Sequence, residues 1–237
     1  EPMINKNGNY ISEVLGKKAA VVSFLGGKAK KVLNPDDCYQ VGVYSAKLHL
    51  ITKDLSGKRK NKLSVSSWRL IYEKVKKDCS KIHTNLPKVI EKNLYEIEKN
   101  WPRNIPSGVI HADLFPDNIF FKDKKLSGII DYYFACNDFY AFEIAICLNA
   151  LCFEGKNENL SFNVTKAKNF INGYSSVRKL SSDEKKSLKI LCKGAALRFL
   201  LTRVFDYLNL TKGAIVAVKD PVEYLKRLEF HDSCNNY

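Results

Sequence analysis

Short apolar runs and helix-type spacing alternate along the first hundred residues. Ala19–Phe24 is a short apolar run that predicts a buried strand. Asn34 followed by Pro35 and two acids predicts a helix start, because Asn caps a helix, Pro suits its first turn and acids suit its positive end. A second helix is predicted over Trp68–Val75. A third is predicted from Pro87, with four apolar residues on one face: Ile90, Leu94, Ile97 and Trp101.

The middle of the chain changes to strand-like segments. Gly108–Ile110, Ile119–Phe121 and Leu126–Ile130 predict short strands, and the last two are joined by a tight turn. From Phe142 onward the apolar residues return to helical spacing, and Ser181 with Glu three residues later predicts a capped helix start. The pattern predicts an α+β protein, in which a mostly helical body carries a small central β-hairpin.

Composition narrows the class of protein. The chain has 237 residues, of which 45% are hydrophobic and 27% charged, as is usual for a folded globular protein. It contains no run of about 18 uncharged apolar residues, so no transmembrane helix is predicted. The seven cysteines are irregularly spaced and form no C-x-x-C pair, which predicts reduced thiols. The first residues do not resemble a signal peptide, and we therefore expect a cytoplasmic location.

The formal net charge of +14 suggests a polyanion as one partner class. However, only seven of the 39 basic residues are Arg, the residue that best reads bases and clamps phosphates. The lysines are scattered, and the densest basic cluster, Lys58–Lys62, predicts a solvated loop. Nucleic-acid binding is therefore not expected, and polyanion binding stays open as an alternative.

The candidate chemistry lies in the loop between the first two central strands. His111, Asp113 and Asn118 have the spacing H-x-D-x-x-x-x-N, and Asp131 ends the following hairpin. In phosphoryl transfer a carboxylate orients the acceptor hydroxyl and accepts its proton, and Asp113 is the candidate for this role. Asn118 and Asp131 supply the oxygen ligands that Mg²⁺ prefers. A polar turn between strands is the alternative interpretation of the same residues.

The same hairpin explains how distant residues would meet. Antiparallel strands joined by a tight turn return to their origin, so Asp131 is expected beside Asn118. His111 is expected to hold the loop backbone by hydrogen bonds, and it is not expected to transfer a proton. Together these residues predict a kinase-type catalytic loop.

The wider sequence resembles the homoserine kinases of the choline- and aminoglycoside-phosphotransferase-like type. The resemblance lies in four segments: Val109–Asn118, Ile130–Asp138, Ile144–Glu154 and Ala196–Arg203 with Asp206. It implies a protein-kinase-like, bilobal fold and phosphorylation of the homoserine hydroxyl, with ATP and Mg²⁺, on the route to threonine. Homoserine is thus the implied small-molecule partner.

The resemblance also implies a division of the chain. Residues 1–27 would be a remnant of the small ATP lobe with the hinge strand, and residues 28–237 the helical catalytic lobe. Phe24 and Leu25 would lie where adenine docks. No lysine of the chain can be assigned as the one that clamps the α- and β-phosphates, so we expect weak or absent activity from this chain alone. Glu143 stands where the family usually has Asp, and its longer side chain is expected to misplace a hydrogen bond of the catalytic loop.

Three further residues are candidates for substrate binding. Arg203 and Asp206 are three positions apart on a predicted helix and so share a face, where they would bind the carboxylate and ammonium groups of an amino acid. An ion pair within the helix is the alternative. Asp138 is the third candidate, with capping of the next helix as its alternative role.

Other functions remain open at this stage. The acceptor could be another small amino alcohol, choline or an aminoglycoside, but residues 133–154 contain no acidic run of the kind that a polycation would need. A non-catalytic remnant that acts as an interaction module is an alternative from a different class.

Overall fold

A computed structural model of the protein describes residues 1–156, 159–210 and 218–234. The α-helices of these residues are α1 (Pro35–Ile51), α2 (Val65–Val75), α3 (Leu86–Asn100), α4 (Tyr140–Leu151), α5 (Val164–Val177), α6 (Ser182–Leu208) and α7 (Val222–Ser233). The strands are β1 (Ser12–Val14), β2 (Lys17–Ala19), β3 (Lys28–Ala29), β4 (Ser107–Ile110), β5 (Ile119–Lys122), β6 (Lys125–Ile129), β7 (Cys136–Phe139), β8 (Phe153–Glu154) and β9 (Ser161–Phe162). The α+β prediction, with a mostly helical body and a small central hairpin, is confirmed.

Local signals in the sequence set two of the helix starts. Asn34 caps α1 by accepting a hydrogen bond from the amide of Asp37, whose side chain in turn accepts from the amide of Asn34. Ser181 and Glu184 form the same reciprocal pair at the start of α6. Such capping boxes satisfy amides that have no partner within the helix, and this is why both starts could be located from sequence.

The helical body is built around α4 and α6. Every residue of α4 is buried, and α6 is buried from Leu191 to Leu201 while it contacts α2, α3, α4 and α7. Between α1 and α5 the backbones approach closely, because Gly42 on α1 leaves no side chain between the helices. A Cβ atom at this position would lie 2.2 Å from the carbonyl oxygen of Phe170.

The central β elements place the ends of two loops together. β5 and β6 form an antiparallel hairpin in which Ile119 is opposite Ile129, and β3 joins the other edge of β5. The amide of Ile130 donates to the carbonyl of Asn118 over 3.0 Å. β4 pairs with β7 in a separate two-stranded sheet. The hairpin thus returns the chain to the point where the 111–118 loop ends.

The prediction of a buried strand over Ala19–Phe24 is wrong. Val21 and Phe24 are 68% and 95% exposed. Residues 21–23 pair only with residues 1–3, through the amide of Met3 to the carbonyl of Val21 and the amide of Ser23 to the carbonyl of Glu1. Apolar sequence alone predicts burial, but no other described element covers this segment. The division of the chain at residue 27 stays a prediction.

Two other expectations concern the whole chain. Among the described residues, no helix is long and apolar enough to cross a membrane. The six cysteines from position 38 to position 192 are buried thiols of the hydrophobic core: Cys38, Cys79, Cys136, Cys147, Cys152 and Cys192.

The close approach of α1 and α5 gives a first testable prediction. A Gly42→Ala substitution forces the helices apart and should lower the free energy of unfolding by about 1–3 kcal/mol. Gly57→Ala is the matched control, because a Cβ atom there has no neighbour within 4 Å. Thermal or urea denaturation measures both. Equal stabilities of the two variants would contradict the packing of these helices.

Candidate active site

The 111–118 loop begins directly after β4 and is held by its own histidine. The Nε2 atom of His111 lies 2.9 Å from the carbonyl oxygen of Ile130, and its Nδ1 atom lies 3.3 Å from the amide of Asp113. An amide is a donor and a carbonyl an acceptor, so the neutral ring with its proton on Nε2 satisfies both contacts. His111 thereby ties the start of the loop to the end of β6, as its predicted backbone-holding role requires.

The next residue, Ala112, has a left-handed backbone with φ of 65°. This conformation costs about 1–2 kcal/mol for a residue other than glycine. Two buried charged side chains hold it in place. The amide of Ala112 donates to Glu143 Oε2 over 3.0 Å, and its carbonyl accepts from Arg198 Nη1 over 2.6 Å. The amide of His111 donates to the same carboxylate oxygen.

Glu143, in the first turn of α4, thus serves the loop hydrogen bond that we expected its longer side chain to misplace. Its Oε2 atom accepts from two successive amides, whereas Oε1 is buried without a partner among the described residues. Burial raises the pKa of Glu143, and the hydrogen bonds from the amides of Ala112 and His111 and the charge of Arg198 oppose this rise. The side chain is fully buried, so its charge is compensated only by these groups.

Asp113, Asn118 and Asp131 line one pocket of about 320 Å³. They come from the loop and from the end of the β5–β6 hairpin, so the structure brings together the three groups selected for acceptor and metal binding. Burial raises the pKa of Asp113, while Arg198 and Lys219 lower it and Asp131 and Asp117 raise it further. The pocket is completed mostly by aromatic and polar residues of α6 and its surroundings: Leu63, Phe115, Phe134, Phe199 and Thr202.

The two predicted metal ligands offer oxygen donors on the pocket wall. The amide nitrogen of Asn118 donates to the carbonyl of Asp113 over 2.9 Å, which leaves its side-chain oxygen as the atom for a cation. Asp131 is exposed and has a left-handed backbone, with φ of 63°. Among the described residues there is no group of three or more His, Cys, Asp or Glu side chains that could hold a metal alone. Mg²⁺ at phosphoryl-transfer sites needs only one or two carboxylates, because waters and phosphates complete its shell.

Asp138 does not line this pocket. It accepts a hydrogen bond from the side-chain amide of Asn61 over 2.7 Å, and burial raises its pKa while this bond opposes the rise. Asp138 Oδ1 also accepts a hydrogen bond from the amide of Phe139, the N-cap residue of α4, over 2.7 Å, but Asp138 is not itself the cap of this helix. Substrate binding by Asp138 stays a prediction.

The basic cluster Lys58–Lys62 is a loop, as predicted, but it is fixed against β7. The amide of Asn137 donates to the carbonyl of Arg59 over 2.7 Å, and the amide of Arg59 donates back to Asn137 Oδ1 over 2.8 Å. The guanidinium of Arg59 reaches the carbonyl of Tyr133 at 2.6 Å. None of these five residues lines the pocket, but Leu63, the residue that follows the cluster, does.

Arg203 and Asp206 both line the pocket, but they do not pair with each other. Arg203 donates to the carbonyl of Asp220 at 3.0 Å and to Glu223 Oε2 at 2.7 Å, so its partners lie at the start of α7. The alternative of an ion pair within α6 is therefore not what forms. Partial burial against the pocket wall raises the pKa of Asp206, and this side chain lines the pocket without an ion pair to Arg203.

The two residues expected near adenine lie apart from this pocket. Phe24 is almost fully exposed, and Leu25 lies against Gly128 of β6, where its side chain would be 3.0 Å from an added Cβ atom. Gly27 has φ of 111° and packs on the backbone of Phe121, which fixes the chain at the edge of β5. Contact of Phe24 and Leu25 with a nucleotide stays a prediction.

Two cationic residues of the pocket were not selected from the sequence: Arg198 and Lys219. Arg198 carried a signal, since a charged residue interrupts the apolar run Ala195–Leu201 on α6. Lys219 carried none, because it lies in an irregular segment among other polar residues. Lys219 Nζ lies 3.6 Å from Asp117 and 4.8 Å from the centre of the Phe115 ring.

The buried carboxyl of Glu143 makes a testable prediction about pH. A carboxyl whose pKa is higher in the folded state loses its share of stability as the pH rises from the ordinary glutamate range through the raised folded value. The side chain at position 143 does not titrate in Glu143→Gln. The free energy of unfolding of this variant should therefore increase relative to that of the wild type as the pH rises. At every pH the variant should also lose about 1–3 kcal/mol of its free energy of unfolding, because the new amide group has no acceptor near the position of Oε1.

Urea denaturation across mildly acidic to neutral pH measures this difference. Glu229→Gln, at an exposed position, is the control and should track the wild type at every pH. Parallel curves for the wild type and Glu143→Gln would show that the Glu143 pKa is not raised.

The comparisons with known proteins agree with this geometry. The sequence model of the Phosphotransferase enzyme family (APH) matches residues 8–179. A homoserine kinase of Xanthobacter autotrophicus is 47% identical over 240 residues, which cover 100% of this chain and 74% of the relative. A homoserine kinase of Nitrobacter hamburgensis is 46% identical over 236 residues, with 100% and 72% covered.

Solved structures show the same fold at low sequence identity. The amicoumacin kinase hAmiN, in complex with AMP-PNP, Ca²⁺ and Ami, superposes with a TM-score of 0.67 at 16% identity, covering 98% of this chain and 71% of the other. An ethanolamine kinase of Plasmodium vivax gives 0.65 at 16% identity, with 94% and 66% covered. The fold is that of these small-molecule kinases. The chain therefore belongs to the phosphotransferase enzyme family, and within that family it is a homologue of the curated homoserine kinases.

Proposed function

We propose that this protein transfers the γ-phosphoryl group of ATP to the side-chain hydroxyl of homoserine, with Mg²⁺. The observation that carries the proposal is the meeting of Asp113, Asn118 and Asp131 in one pocket, in a chain that is 47% identical to a homoserine kinase. The kinase neighbours of the fold include a complex with the ATP analogue AMP-PNP, which supports ATP as the donor. The cytoplasmic location, the absence of nucleic-acid binding and the weak activity of this chain alone stay predictions.

Asp113 is the proposed proton acceptor. Its carboxylate would accept a hydrogen bond from the homoserine hydroxyl and take the proton as that oxygen bonds to the γ-phosphorus and the bond to the ADP oxygen breaks. Phosphoryl transfer depends mainly on position and electrostatics, so the task of the protein is to hold the carboxylate still. The loop contacts of His111, Glu143 and Arg198 do this.

Asn118 and Asp131 would hold Mg²⁺ through their side-chain oxygens. The ion would neutralise charge on the β- and γ-phosphates when it is bound with ATP. The oxygen-only donor set suits this hard cation. The same pair would set the position of the phosphates relative to Asp113, because the hairpin fixes both ligands at its two ends.

The charges on the pocket wall favour a zwitterionic acceptor. Asp206 is available for an ammonium group, and Lys219 together with Arg203 offers positive charge for a carboxylate, although Arg203 would have to share Glu223. A polycationic aminoglycoside would meet repulsion from these cations. Choline or another amino alcohol lacks the carboxylate that they would bind. A non-catalytic interaction module would need neither the oxygen ligands nor the charged side chains of this pocket.

Acceptor preference tests the proposal. A coupled ADP-release assay with MgATP should give a higher kcat/KM with homoserine than with choline, ethanolamine or kanamycin. Asp113→Asn should lower turnover about 10²–10⁴-fold, because the proton acceptor is lost while the shape is kept. Asp123→Asn is the matched control, since that acid lies in the β5–β6 turn outside the pocket. Turnover by Asp113→Asn at the level of the control would refute the catalytic role.

The metal assignment gives a separate prediction. Asp131→Asn should raise the Mg²⁺ concentration for half-maximal turnover at least about 10-fold, because an amide is a weaker ligand than a carboxylate. Asp123→Asn is again the control, because both aspartates have left-handed backbones that asparagine tolerates, with φ of 63° and 50°. An unchanged Mg²⁺ dependence would remove Asp131 from the metal site.

A further inference from the structure

Arg198 occupies an unusual place in the helical body. It lies in the middle of α6 and is 2% exposed, and its neighbours along the helix are apolar and almost all fully buried: Ala195, Ala196, Leu197, Phe199, Leu200 and Leu201. Burial of a guanidinium is unfavourable unless its charge and its donors are compensated. A leucine at this position would continue the packing, so the presence of Arg calls for a specific role.

The contacts of Arg198 point to the catalytic loop. Nη1 donates to the carbonyl of Ala112 over 2.6 Å, and the planar group stacks near Phe199 and Phe134 at 4.5 and 5.9 Å from the ring centres. Its Nε–H is buried and has no partner among the described residues. Arg198 thus keeps a buried donor without a partner among the described residues, and a contribution to stability does not explain its presence. The hydrogen bond that it makes within the described part of the chain is to Ala112, the residue before Asp113.

We propose that Arg198 is a positioning residue for phosphoryl transfer, which holds the carbonyl of Ala112 and thereby orients the carboxylate of Asp113 toward the acceptor hydroxyl. The inference rests on the proposed function, in which Asp113 accepts the hydroxyl proton. Glu143 on α4 accepts a hydrogen bond from the amide of Ala112, and Arg198 on α6 donates one to its carbonyl. Side chains from two helices thus hold both polar backbone groups of Ala112. The left-handed backbone conformation of Ala112 persists because these two hydrogen bonds act together.

A direct role in substrate binding does not fit the burial of Arg198. Only 2% of the surface of Arg198 is exposed, and although the side chain forms part of the pocket wall beside Asp113, its hydrogen bond among the described residues goes to the loop carbonyl of Ala112. Arg198 therefore acts through the loop backbone. Lysine cannot replace it fully, because the ammonium group is not planar and does not fit a stacked site in the same way.

The test compares Arg198→Lys with Arg178→Lys. Arg178 is the matched control, because it also stacks on an aromatic ring, Tyr140 at 4.8 Å, and also forms hydrogen bonds, to Tyr174 and Glu184, but lies outside the pocket. Arg198→Lys should lower kcat for homoserine phosphorylation about 100-fold, the effect of a displacement near 1 Å, with the KM for MgATP unchanged. Arg178→Lys should keep the wild-type kcat.

Amide hydrogen exchange gives a second readout that does not need turnover. In Arg198→Lys the amides of Ala112 and Asp113 should exchange faster than in the wild type, whereas those of α6 should not change. A purely structural role would speed exchange throughout α6 and lower the melting temperature without a selective effect on the loop. Wild-type exchange at Ala112, or a loss of kcat no larger than that of Arg178→Lys, overturns the proposal.

Asp113→Asn separates this inference from the function beneath it. If Asp113→Asn is inactive and Arg198→Lys retains wild-type kcat, the kinase proposal stands and the role of Arg198 is wrong. If Asp113→Asn keeps wild-type turnover, the proposed function itself fails. Arg198→Met, which removes the donor altogether, should lose more activity than Arg198→Lys, and the opposite order also overturns the proposal.

Discussion

The structure depends on the hydrogen bonds that hold Ala112 between two buried charges. Its amide meets the carboxylate of Glu143 and its carbonyl meets the guanidinium of Arg198. These side chains belong to α4 and α6, the two helices at the centre of the core. The packing of the core therefore sets the geometry of the loop, and any shift between these helices would be felt at Asp113.

This arrangement lowers the stability of the fold but fixes the position of the catalytic loop. Glu143 and Arg198 each leave one polar atom buried without a partner among the described residues, and such atoms are more often satisfied in native proteins. Apolar residues at both positions would pack without that penalty. What the charged pair provides is a left-handed residue held from both sides, next to the carboxylate that the reaction needs.

The pocket itself is assembled from segments far apart in the chain. The loop and hairpin contribute oxygen ligands, α6 contributes Arg203 and Asp206, and Leu63, which follows the basic cluster Lys58–Lys62, also lines the pocket. Mixed charge on the wall follows from this assembly. The proposed zwitterionic acceptor would meet charges of both signs there, from Asp206 and from Arg203 and Lys219.

Sequence by itself determined the elements and the chemistry that rest on neighbouring residues: the capped starts of α1 and α6, the β5–β6 hairpin and the group Asp113, Asn118 and Asp131. Capping and turns involve residues a few positions apart, so their partners can be read along the chain. Tertiary structure alone decided which hydrogen-bond partners Arg203 and Asp138 have. It also decided that Ala19–Phe24 is exposed and that Arg198 forms a hydrogen bond with the loop. These outcomes depend on how helices pack, which places side chains 20 to 90 positions apart in contact.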